Sequence, residues 1–214
     1  MVKKEEYGLD APSKILPILL FMVAGGSNKA HLNRLQINKM IRYFEFLIKK
    51  DEIGFSNYNL GGVSYELTEN LGEMVDYGLL DQDERGKYVM SDEGELAGRE
   101  LLEEFSKHGH ELLKKSYTIL RDLSDEELLF FMYKTIPKTQ EKSIIMDKLM
   151  KKSVQLVQSI YDKGKISAST ALSWVRDEDK DALEFDLNPD YIAKLKARRK
   201  EATISSTDRD CFCR

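Results

Sequence analysis

The chain has 214 residues, 42% of them hydrophobic and 33% charged, with a net charge of -4 and a pI near 5.6. That apolar share belongs to folded globular proteins, not to disordered ones. The mild acidity gives no overall attraction to nucleic acid or to an anionic membrane, so either would have to be bound by a local patch.

The two cysteines, Cys211 and Cys213, sit side by side in the last four residues. A secreted disulfide framework spreads its cysteines through the core, so a reducing, cytoplasmic setting is expected. The longest apolar run, Ile15 to Ala24, falls far short of the roughly 20 residues that span a bilayer. Glu5, Glu6 and Asp10 precede it, which fits a buried helix better than a signal peptide.

In chain order, a first helix is predicted over Ser13 to Ala24, closed by Gly25-Gly26. A second covers about Leu35 to Lys50. Ile37, Met40, Ile41, Phe44, Leu47 and Ile48 share one face, and Arg34, Asn38, Arg42, Glu45 and Lys49 lie opposite. Phe55 to Tyr58 alternates like a strand. Ser64 is a natural N-cap for a third helix, with Leu67, Leu71, Met74 and Val75 inward and Gly78 as its stop. Leu79-Leu80 and Lys87 to Met90 flank Asp83-Glu-Arg-Gly86, which reads as a hairpin.

Beyond the hairpin a long helix is predicted from Asp92 to about Ser106, broken at His108-Gly109-His110 before a further helical stretch to Arg121. Ser124-Asp-Glu-Glu127 is a capping box for the next helix, which Pro137 ends or kinks. Helical pattern resumes from Lys142 to Tyr161, and Ser167 caps a short helix ending at Val175. Residues 176 to 186 carry six acids and two bases, and a basic helix is predicted after Pro189.

Helix, helix, helix, hairpin is the order of a winged helix. The fold class expected is therefore mainly α: a winged-helix-type domain over 1–106, a helical region over 107–204 and a frayed tail over 205–214. The stretch Gly62-Val-Ser-Tyr65, with Leu67, Leu71, Gly78-Leu79-Leu80, Tyr88-Val-Met-Ser91 and Gly94, resembles the YwgA-like and Panacea (SocA-like antitoxin) prokaryotic winged-helix proteins. Arg34 to Met40, Leu123 to Leu129, Tyr133 and Pro137 extend the likeness over roughly residues 12 to 145. Ile160 to Leu172 is similar, over a short stretch, to a small antitoxin-type helix-turn-helix module with a Tyr-x-x-Gly-Lys-Ile-Ser core. The resemblance implies a winged-helix regulator, with antitoxin-like transcriptional regulation as one role among such relatives. Its motifs are turn, cap and core positions, which specify a fold more than an activity.

Catalytic chemistry finds little support. Structural zinc needs four ligands, normally two spaced pairs, whereas Cys211-Phe-Cys213 and His108-Gly-His110 stand far apart. There is no Gly-x-Ser-x-Gly and no phosphate-cradling loop with a Lys-Ser/Thr. No enzyme activity, metal, cofactor or small-molecule substrate is expected. DNA binding is the first expectation from the fold class. Its candidate contacts are Arg34, Lys39, Arg42, Lys49 and Lys50 on the second helix, Arg85 and Lys87 on the hairpin, and Lys194, Lys196, Arg198 and Arg199 in the basic run. A charged helix face is also, quite commonly, just solvated.

Against DNA, the third helix carries Glu66, Glu69, Glu73 and Asp76 and no Lys or Arg, although affinity for duplex comes largely from cations meeting phosphates. The alternative is a protein-interaction module, toxin-neutralising or scaffolding, or a homodimer. Glu66, Glu69, Glu73 and Trp174 are its candidate contacts, with packing on the preceding helix as the other reading of Trp174.

Overall fold

An apolar helix with no polar face has to be buried on every side. The computed structural model, which describes residues 12–25, 30–49, 55–58, 61–136 and 143–183, places α1 (Pro12–Ala24) in that position. Ile18, Phe21 and Met22 are fully buried, and α1 packs against α2 (Arg34–Ile48), α3 (Tyr65–Asp76), α4 (Asp92–Glu103) and α5 (Lys107–Leu120). The protein is mainly helical, and no described helix is long and apolar enough to cross a membrane.

Two antiparallel strand pairs accompany the helices. Strand β1 (Ser56–Tyr58) pairs with β2 (Gly61–Val63), and β3 (Leu80–Gln82) pairs with β4 (Tyr88–Met90) in the register Leu80 to Met90. Between α1 and α2, Leu32 exchanges both backbone hydrogen bonds with Tyr88, at 3.1 and 2.9 Å, and so adds an extended segment to the β3–β4 pair. The remaining helices are α6 (Asp125–Thr135), α7 (Met146–Lys151), α8 (Ser153–Asp162) and α9 (Ala168–Trp174), followed by a 3-10 turn over Asp177–Ala182. One cluster of buried side chains runs from Ile15 to Leu183, and helices from both sides of residue 106 share it.

Helix ends follow side-chain chemistry. Ser64, Ser91, Ser106, Ser124 and Ser167 each accept a hydrogen bond from a backbone N–H in the first turn of the helix they open. Asn33 and Gln36 form a capping box on α2, and Ser124 and Glu127 another on α6. The predicted long helix from Asp92 stops at Glu103, and Ser106 starts α5. His108-Gly109-His110 therefore form its first turn and not the break. The predicted helix from Lys142 to Tyr161 is likewise divided, at Lys152. Pro137 and the basic run after Pro189 lie outside the described residues.

Glu127 joins the capping box to the far half of the fold. It is buried, yet it accepts hydrogen bonds from Lys163 Nζ at 2.6 Å, from the Ser124 N–H at 2.7 Å and from the Ser159 hydroxyl. Burial opposes its charge, but these donors together hold its carboxyl below the usual carboxylate range. Lys165 Nζ similarly bonds Asp122 and the Thr118 carbonyl. Two lysines thus clamp the turn after α8 onto α5 and α6.

Candidate interaction surface

The amphipathic pattern of α2 implies one covered face. The structure covers nearly all of it, because α1, α5 and α6 pack on the helix and β2 packs on it as well. Asn38, Lys39 and Glu45 are 2%, 1% and 3% exposed. Lys39 is therefore not a phosphate contact. Burial, reinforced by the nearby Arg42 charge, pulls its ammonium down to about 8. Arg42 is turned inward too: its guanidinium lies 3.6 Å from the Glu45 carboxylate and 5.2 Å from the centre of the Phe55 ring.

The basic side chains that remain exposed along α2 are Arg34 at one end and Lys49 at the other. A helix of 15 residues holds its ends about 22 Å apart. The continuous basic face expected from the sequence does not form. Lys50, Lys194, Lys196, Arg198 and Arg199 lie outside the described residues.

The burial of Asn38 has a purpose in the fold. Its amide donates to the Arg34 carbonyl at 3.1 Å, and its Oδ1 accepts from the Ser64 N–H at 3.1 Å. The first residue before α3 is thereby tied to the core helix α2. Ser64 in turn accepts from the Leu67 N–H, and Thr68 donates to the Ser64 carbonyl. At the other end, Gly78 takes a left-handed conformation (φ 70°) and the Leu79 N–H bonds the Met74 carbonyl. The Ser91 hydroxyl donates to the Gly78 carbonyl at 2.6 Å, linking that exit to the start of α4. Both ends of α3 are held.

Between these ends, Leu67, Leu71 and Met74 fill the core, and Glu66, Glu69, Glu73 and Asp76 are exposed as their spacing predicts. Tyr65 and Tyr77, 59% and 45% exposed, stand at the two ends of the same helix. The sequence reading does not single them out, although exposed aromatics flanking an acidic stripe are a readable signal.

The neighbouring hairpin is stiffened at its tip. Asp83 Oδ1 accepts from the N–H groups of Arg85 and Lys87, both at 2.9 Å, and Gly86 supplies the left-handed turn residue. Asp83 Oδ2 meets His31 Nδ1 at 2.7 Å. The His31 hydrogen bond, then those from Lys87 and Arg85, hold the Asp83 carboxyl below its usual range. Arg85 is exposed and Lys87 half-buried, so the tip offers two cations beside Asp81, Asp83 and Glu84.

Trp174 is half-buried. Its ring meets Phe130 and Phe131 edge-on at 6.2 and 5.5 Å, so it packs on α6. His108 and His110 sit in the first turn of α5, and no group of three metal-capable side chains gathers among the described residues. Compared with known family models, curated proteins and solved structures, the chain matches none of them.

Proposed function

We propose that the first half of this chain is a winged helix used as a protein-docking scaffold, in which α3 and the β3–β4 hairpin present an acidic face to a basic partner surface. The chain order α1, Leu32, α2, then α3, β3 and β4 after the inserted β1–β2 pair, with Leu32 paired to Tyr88, supports the winged-helix reading. The resemblance to antitoxin-like winged-helix proteins agrees with the same choice.

One observation carries the preference for protein over DNA. The exposed acids of α3, Glu66, Glu69, Glu73 and Asp76, have no Lys or Arg beside them within the helix itself, while Lys39 and Arg42 are folded inward. A groove-reading helix of that charge would meet phosphates with like charge. Against a basic protein surface the same charges favour encounter and register, and Tyr65 and Tyr77 add rigid contact area.

A photo-crosslinking residue at position 69 or 73, expressed in the source cells, tests the reading. The expected adduct is one protein whose crosslinked peptide is rich in Lys or Arg, and it should be lost when Glu66, Glu69 and Glu73 are changed to Lys. An adduct with nucleic acid would overturn the reading, as would a protein adduct that survives the charge reversal.

A further inference from the structure

Nothing in the sequence points to a small-molecule ligand, but α1, α4 and α5 leave a cleft between them. It measures about 510 Å³, within the range of small-molecule sites. Two glycines seat its walls. A Cβ on Gly98 would lie 2.3 Å from Val23, so only glycine lets α4 close on α1 there, and a Cβ on Gly25 would lie 2.5 Å from the Tyr117 ring of α5.

The floor is apolar where the half-buried Val23 and Leu102 line it. The rim is charged and divided by sign. On the α4 wall Arg99 is already paired with Glu95, which leaves Glu103. On the α5 wall stand Lys114 and, one turn before it, His110. Glu103 and Lys114 are exposed and make no ion pair among the described residues.

We propose that this cleft binds a free α-amino acid with an apolar side chain. Glu103 receives the ammonium, Lys114 receives the carboxylate, and the side chain lies along Val23 and Leu102. Each half of a zwitterion then meets an opposite charge on a different wall, and the apolar part leaves water. A simple anion such as phosphate would face Glu103 and Glu95 across the same opening. A hydrocarbon would strip water from the rim without pairing it.

Calorimetric titration of the full chain with L-leucine, L-methionine and L-phenylalanine, up to about 10 mM, tests this, since weaker binding falls below a millimolar-range site. At least one should bind saturably. Leucinamide, which lacks the carboxylate, and 4-methylpentanoate, which lacks the ammonium, should each bind about tenfold more weakly or not at all, the difference that one ion pair of about 1.4 kcal/mol makes. Lys114→Gln should weaken L-leucine while leaving leucinamide unchanged, and Glu103→Gln should weaken L-leucine while leaving 4-methylpentanoate unchanged. Both positions are exposed, so unchanged circular dichroism is the control for folding. No saturable binding of any of the three amino acids would overturn the proposal. So would equal binding of the three leucine-like compounds, or L-leucine binding unaffected by both substitutions.

Discussion

Replacing Lys39 with methionine is expected to stabilise the protein at pH 7 by up to about 3 kcal/mol, the cost of a pKa lowered from 10.5 to about 8. The side chain is 1% exposed, and its folded-state value is the lower of the two. Below pH 8 it is charged in both states, and burial penalises the folded one. Between pH 8 and 10.5 the unfolded chain still holds the proton that the folded chain has released, so the parent gains stability as pH rises. Above 10.5 it is neutral in both states and the penalty is gone. Urea denaturation of parent and Lys39→Met at a series of pH values should therefore show an advantage for the variant that is constant up to about pH 8 and shrinks towards pH 10.5. A variant less stable at pH 7, or an advantage that does not change with pH, would contradict this account of α2.

The second large effect is expected at Gly94. A Cβ there would sit 2.0 Å from the Leu79 carbonyl oxygen and 2.8 Å from Met90 Sδ. Backbone, unlike the far end of a flexible side chain, has little room to yield. The first turn of α4 would have to lift, loosening the Ser91 cap on the Gly94 N–H and the Ser91 bond to the Gly78 carbonyl. A loss of about 3 kcal/mol is expected for Gly94→Ala, at the upper end of ordinary overpacking. Gly72 is the contrast. It lies within α3, and a Cβ added there would meet no atom within 4 Å, so Gly72→Ala should add about 0.5–1 kcal/mol through helix propensity. Thermal or urea melts of the two variants should move in opposite directions. Equal and small shifts would mean that the corner joining α3, the hairpin and α4 is loosely packed.

Why α3 is legible and α2 is not is a matter of range. The acidic stripe of α3 follows from a 3.6-residue period, and its ends from Ser64 and Gly78, all of which are local. Ser91, Ser124 and Ser167 are readable for the same reason. Ser106 is missed because the apolar pattern continues through Leu101, Leu102 and Phe105 and hides the cap that follows. On α2 the pattern is amphipathic, and it correctly places Ile37, Met40, Ile41 and Phe44 in the core. What covers the opposite face comes from a strand further along the chain and from α5 and α6, and no local period carries that information.

The same limit hides the partnership between Leu32 and Tyr88, and the cleft walls at Gly98 and Gly25. Each needs two segments brought together by the fold. Trp174 is the reverse case: an aromatic in polar surroundings along the chain sits against two phenylalanines in space. Polar neighbours in sequence are a poor guide to exposure when the covering element is another helix.

Binding to duplex DNA tests most directly whether the α3 face is a protein-docking surface. In a fluorescence anisotropy titration of a labelled random-sequence duplex at about 50 mM salt, where counterion release favours binding most, the full chain is expected to show no salt-sensitive association. Tight binding that weakens steeply with added salt, with the duplex captured by a photo-crosslinking residue at position 69 or 73, would place the duplex on this face and contradict its assignment to a protein partner.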